Sequence, residues 1–130
     1  MEVSSIMESG LSKITTLEEL DRFLAESNER PIWLLKHSLA CPLSTEGLRE
    51  FQRFAASAAD AGSFAVVEVQ NARAISDELA RRTEIRHETP QAIMFVHGRP
   101  RWHGSHWAIT CEALGRATRE IGSATGSGSG

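Results

Sequence analysis

Two cysteines carry most of the chemistry this sequence could do, and their settings differ. Cys41 stands in Ser38-Leu39-Ala40-Cys41-Pro42-Leu43-Ser44, directly after an apolar run and directly before a helical pattern. At the start of a helix, unpaired backbone N–H groups and the positive end of the dipole favour thiolate over thiol. Thiolate is the form that attacks disulfides. Pro42 suits the first helical turn, where its missing N–H costs nothing. Lys36 and His37 lie just upstream and can add positive charge, although strand alternation lets at most one of them face the thiol. A dithiol enzyme needs a resolving thiol three residues on, and that position holds Ser44. Serine closes no internal disulfide, so a mixed disulfide on Cys41 must be resolved by a second molecule. The plainer reading of Cys41 is a small buried hydrophobe. Its polar loop argues against that.

Thr89-Pro90, just before a later apolar run, is the second signal. As a bare dipeptide it reads as a proline at a strand entrance. Facing a reactive cysteine across a sheet, the same pair is expected to be cis and to offer backbone groups to an incoming thiol or peptide. His87, in the loop before Pro90, is the histidine best placed to line such a groove. His37-x3-Cys41 and His103-x2-His106 have metal-ligand spacings, but the elements that carry them lie apart, so no metal site is expected. Trp102 and Trp107 read first as partly buried rings, with Trp107 a possible wall of the groove. Cys111, seventy positions after Cys41, falls in the first turn of the last predicted helix and reads as inert or weakly reactive.

The elements that must position these groups follow from periodicity. Thr16 and Glu19 form a capping-box pattern, after which Leu17, Leu20, Phe23 and Leu24 share one helical face and the helix ends near Asn28. Ile32-Trp33-Leu34-Leu35 is a buried strand. Leu48, Phe51, Ala55 and Ala58 stripe a second helix that Gly62 stops. Phe64 to Val69 is a second strand, and a third helix has Ser76 as its cap and Ile75 and Leu79 inward. Ala92 to Val96 is a third strand. His97-Gly98-Arg99-Pro100 turns into a short fourth strand, Arg101-Trp102-His103. A last helix runs from Thr110 to Ile121 with Ala113, Leu114, Ala117 and Ile121 inward.

This αβαβαββα order predicts an α/β fold of thioredoxin-like type. It has a central mixed four-stranded sheet flanked by helices and an extra N-terminal helix. The first βαβ unit requires parallel strands, and the tight final ββ pair requires antiparallel ones. Residues 14–122 form the domain, residues 1–13 a flexible N-terminus, and the Gly/Ser run 123–130 a flexible tail. With 130 residues, 41% hydrophobic and 24% charged, the chain can build one core without staples. The net charge of -3 gives no basic footprint for nucleic acid. No apolar stretch is long enough to span a membrane, and the opening residues lack a signal-peptide pattern. The expected setting is therefore the reducing cytoplasm.

Four separated segments resemble one family. They are Lys36-His37-Ser38, Cys41-Pro42-Leu43-Ser44, Ile85 to Ala92 around Thr89-Pro90, and Trp102 to Thr110. In order and spacing they look like the YtxJ-type monothiol bacilliredoxins of the bacillithiol system, over about residues 14 to 121. Ala40 and Leu43 depart from the usual Thr-Cys-Pro-Ile-Ser and leave the chemistry intact. The resemblance implies thiolate attack by Cys41 on S-bacillithiolated proteins. It also implies binding around Pro42, Ser44, His87, Thr89 and Pro90, with bacillithiol as co-substrate and resolving thiol and no bound cofactor. Two other functions fit the residues alone: a thioredoxin-like adaptor whose Cys41 does no chemistry, and a peroxide sensor whose Cys41 is oxidised and then capped.

Overall fold

The computed structural model describes residues 11–58 and 62–128, with side chains as far as 121. Residues 1–10 of the expected flexible N-terminus 1–13 and the last two residues of the expected tail lie outside the described residues, while Leu11–Lys13 form a strand. In chain order the elements are β1 (Leu11–Lys13), α1 (Leu17–Glu26), β2 (Ile32–His37), α2 (Pro42–Ser57) and β3 (Ser63–Glu68). They continue with α3 (Arg73–Thr83), β4 (Gln91–Val96), β5 (Arg99–Ser105), a 3-10 turn (His106–Ala108) and α4 (Cys111–Gly128).

The capping box at Thr16 is present. Its hydroxyl accepts the Glu19 N–H at 3.1 Å, and the Glu19 carboxylate accepts the Thr16 N–H at 3.1 Å. Leu20 and Phe23 turn inward from α1, whereas Leu17, expected on that face, is 45% exposed at the first turn.

The strands lie in the order β1-β3-β2-β4-β5. β3 pairs parallel with both β1 and β2, and β4 pairs antiparallel with both β2 and β5. His97 and Gly98 both adopt positive φ between β4 and β5, which makes the two-residue turn that a twisted antiparallel pair prefers.

Strand alternation sorts the core into two halves. Trp33, Leu35, Phe64, Val66 and Met94 face α2 and α4 and meet Phe51, Phe54 and Leu114. Ile32, Leu34, Ala65, Val67 and Ile93 face α1 and α3 and meet Leu20, Phe23, Ile75 and Leu79. On the first face Trp33 is the hub, with ring centroids 5.3 Å from Phe54, 6.4 Å from Phe64 and 5.8 Å from Trp102. Among the described residues no helix is long and apolar enough to cross a membrane.

Four expectations need correction. The sheet has five strands, because Leu11–Lys13 pairs with Phe64–Val66 at its edge; three residues are too few to show a period of two. β5 runs from Arg99 to Ser105, longer than the expected Arg101–His103, because an edge strand's exposed face carries no apolar signal. Ser76 does not cap α3. The helix starts at Arg73, since burying Ala72 and Ile75 against the sheet fixes where the turn begins. Finally, the α4 backbone is helical to Gly128, beyond Ile121 and through most of the expected tail.

Candidate functional site

Cys41 is the N-cap of α2. It is half-buried, in extended conformation (φ -106°, ψ 120°), and its side chain makes no capping bond. The sulfur therefore sits at the open end of a sixteen-residue helix whose first turn contains Pro42 and no acidic residue. Pro42 itself is exposed.

Ser44 has a different role from the one its spacing suggests. It is fully buried, and its hydroxyl accepts the Ser38 N–H at 3.1 Å. Ser44 thus ties the loop entering the helix to the helix's first turn and presents no surface to a ligand. Gln70, in the turn after β3, braces the same loop from the other side. Its amide donates to the Ser38 hydroxyl at 2.8 Å and accepts the Leu39 N–H at 3.0 Å. The Cys41 loop is held by side chains at both ends.

The Thr89–Pro90 peptide is cis. Pro90 is buried and packs on α2 at Gly47, less than two turns after Cys41. A β-carbon on Gly47 would lie 3.0 Å from both Cβ and Cγ of Pro90, inside the ordinary carbon–carbon contact of about 3.5–4.0 Å. Alanine is favoured over glycine in a helix by about 1 kcal/mol, while overpacking costs about 1–3 kcal/mol. We expect Gly47→Ala to destabilise the protein by up to about 2 kcal/mol and to slow chemistry at Cys41, by urea titration and turnover assay. A gain in stability would show that the contact is slack.

Beyond Pro90, its carbonyl accepts the His106 N–H at 2.9 Å, which seats the 3-10 turn beside the loop. Trp107, on that turn, is 74% exposed and lines a cavity of about 170 Å³ with Leu43, Gly47 and His106. Trp102, by contrast, packs on Trp33 in the core.

Lys36 and His37 part company as alternation requires. His37 shares the α2 face with Trp33 and Leu35, in register with Glu68 on β3. Burial works against the Glu68 carboxylate, but hydrogen bonds from Lys13 (2.8 Å) and Asn71 (3.0 Å) outweigh it and keep its pKa below the usual range. Lys36 points to the opposite face, 1% exposed, towards α3. Burial lowers its pKa from 10.5 to about 8, and Asp77 partly opposes that shift. His87 also lies on that side, with Nδ1 3.1 Å from the Ser76 hydroxyl. Partial desolvation, then the charge of Lys36, lowers its pKa.

The fold therefore brings Cys41, Pro42, Pro90, His106 and Trp107 to one side of the sheet's end and Lys36 and His87 to the other, with Thr89 beside Pro90 at the boundary. Among the described residues no three His, Cys, Asp or Glu side chains cluster as metal ligands. Sequence reading missed Gln70 and Gly47. Nothing marks Gln70 as a brace, but a glycine inside a helical pattern is a readable sign of close approach.

Thioredoxins share this architecture. A thioredoxin of Malassezia sympodialis superposes with a TM-score of 0.69 at 14% identity, covering 85% of this chain and 89% of its own. A poplar thioredoxin h variant gives 0.71 at 18% identity, covering 86% and 82%. A solved structure described as a candidate oxidoreductase with a thioredoxin fold gives 0.77 at 29% identity, covering 86% and 96%. The family model described as monothiol bacilliredoxin BrxC matches residues 12–114, from β1 into the first turn of α4 and across every residue of the thiol site. With a lone thiol heading α2 in a thioredoxin fold, the chain belongs to the monothiol bacilliredoxin family.

Proposed function

We propose that the protein is a monothiol thiol–disulfide oxidoreductase that removes bacillithiol from mixed disulfides on protein cysteines in a reducing, cytoplasmic setting. The observation that carries this reading is Cys41 capping α2 with no second thiol in reach. Cys111 lies at the level of Glu50, whose carboxylate accepts its N–H at 2.7 Å. Glu50 is nine residues along α2 from Cys41, a rise of about 13 Å, roughly twice the Cα separation a disulfide allows. Ser44, at the resolving position, is buried and bonded to Ser38.

The chemistry follows from that isolation. Cys41 thiolate attacks the bacillithiol sulfur of a protein mixed disulfide. The S–S bond breaks, the client cysteine leaves as thiolate and takes up a proton, and a Cys41–bacillithiol disulfide forms. A second bacillithiol, as thiolate, attacks the bound bacillithiol sulfur, releases bacillithiol disulfide and restores Cys41. The attacking sulfur stands at the N-terminus of α2, on a side chain that is not used in capping the helix. The exposed Trp107 beside Pro90 offers an apolar wall for the incoming client.

Single-turnover intact mass tests this. With a bacillithiolated client and no free small thiol, wild type is expected to accumulate one bacillithiol adduct on Cys41. Adding bacillithiol should then clear it. Release of the client without a trapped adduct would overturn the monothiol cycle.

A further inference from the structure

Among the described residues three large apolar side chains are exposed, Leu17, Leu39 and Trp107. Two of them belong to the Cys41 end of the sheet. Leu39 stands two residues before the thiol, and Trp107 stands on the turn seated at Pro90. Apolar surface gathered in one place marks contact with a partner. The Trp107 ring is also held where it is. His106, just before it, has φ 55°, a left-handed conformation uncommon in a residue with a side chain. Its N–H donates to the Pro90 carbonyl at 2.9 Å, and its carbonyl accepts the Ile109 N–H at 3.2 Å. The backbone carries strain to keep the ring outward.

The cavity that Trp107 lines is tied to the thiol through its own walls. Leu43 is two residues after Cys41, Gly47 carries the Pro90 contact, and His106 bonds to Pro90. A volume of about 170 Å³ is well below the roughly 300–1,000 Å³ of sites for whole small molecules, so it suits one side chain. Leu43, Ile109 and Trp107 make the lining apolar, and Glu46 and Glu50 add two carboxylates. Among the described residues no lysine or arginine lines it. Arg49 and Arg53, which pair with those carboxylates, stand outside the lining. The Glu46–Arg49 contact is 3.4 Å with both side chains more than half exposed, a surface pair weak enough to yield to another cation. A long apolar stem ending in a positive charge matches these walls. The stem lies along the apolar surface, and the charge meets a carboxylate and the indole face.

We infer that this cavity receives a lysine or arginine side chain of the client protein, two or three residues from the cysteine that carries the mixed disulfide. The spacing follows from geometry. Glu46 is five residues along α2 from Cys41, a rise of about 7–8 Å, and an extended client chain covers about 7–10 Å in two or three residues. The inference rests on Cys41 being the exchanging thiol, and it makes the Pro90 side of the site select clients by charge.

Exchange on short peptides tests it. Each peptide has one cysteine, held as its bacillithiol mixed disulfide, and Lys, Met or Glu at the second and third positions before it or after it. In one of the two placements the Lys peptide is expected to be released at least tenfold faster, as kcat/KM, than the Glu peptide, with Met between them. Glu46→Gln should cut that ratio at least threefold, and Glu46→Lys should bring it to one or below. Glu46 is exposed on α2, so its variants report on charge with the fold intact. Trp107→Ala should slow the Lys and Met peptides more than the Glu peptide. Equal rates for Lys and Glu in both placements, or a ratio that survives Glu46→Lys, would overturn the inference. Release from none of the peptides would sink the thiol chemistry instead. The cavity is then read separately in Cys41→Ser protein, titrated with the same peptides carrying serine for cysteine. The Lys peptide alone should give a saturable shift of the Trp107 indole N–H resonance that Glu46→Lys removes, and absence of that shift would overturn the cavity's role.

Discussion

Cys41→Ser is expected to lower release of protein mixed disulfides by on the order of 10⁴-fold or more, the scale on which removal of a covalent nucleophile acts. Cys111→Ser should stay near wild type. The two cysteines are similarly half-buried and both open a helix, so exposure alone does not separate them. Their surroundings do. Cys41 uses neither its sulfur nor its side chain to hold the fold, and serine is a better N-cap than cysteine. The Cys41→Ser protein should therefore be as stable as wild type or up to about 1 kcal/mol more so, which excludes unfolding as the cause of lost turnover. At Cys111 it is the backbone N–H that meets Glu50, and serine keeps that bond. Turnover on a defined mixed-disulfide client, measured beside urea titrations of both variants, checks this. Substantial activity in Cys41→Ser would end the assignment. A large loss in Cys111→Ser at normal stability would make Cys111 the resolving thiol and place α4 closer to the Cys41 loop than Glu50 allows.

The sequence carried the elements and the thiol further than it carried the site around them. Apolar periodicity located every helix and the four longer strands, because each buries a stripe of residues such as Leu20 and Phe23 or Phe51 and Ala55. It missed β1, whose three residues join the sheet only through pairing with β3, a contact far away in sequence. Cys41 at a strand-to-helix junction was legible because both flanking elements were. The resemblance put Ser44 among the binding residues, whereas its hydrogen bond to Ser38 depends on how the loop folds back and is not legible in local spacing. Ser76 was misplaced as a cap for a related reason. A serine before a helical pattern satisfies the local rule, yet burial of Ala72 and Ile75 set the start earlier and sent the Ser76 hydroxyl to His87. A cavity beside α3 was invisible. It is lined by Gln70 before α3, Arg73, Ser76 and Asp77 on α3, and His87 from the loop before β4, positions that no motif joins.

Lys36→Met is expected to stabilise the protein at neutral pH. The Lys36 ammonium is buried on the α3 face, where burial lowers its pKa from 10.5 to about 8. In the unfolded chain the same group keeps its proton up to the ordinary lysine range. Below pH 8 both states are protonated, and the folded state carries the full cost of a buried charge. Between pH 8 and 10.5 the folded protein sheds the proton while the unfolded chain holds it, so raising the pH favours folding through this group. Above 10.5 both states are neutral and the penalty is gone. A lowering of this size corresponds to about 3 kcal/mol, and solvent screening reduces that to about 2 kcal/mol. Methionine has similar length and flexibility and brings no charge, so it should recover most of the penalty. Urea titrations of wild type and Lys36→Met at pH 7 should therefore differ by about 2 kcal/mol in favour of the variant, and the gap should close as the pH approaches 10.5. A variant less stable than wild type at pH 7 would mean that Lys36 holds a partner in the free protein.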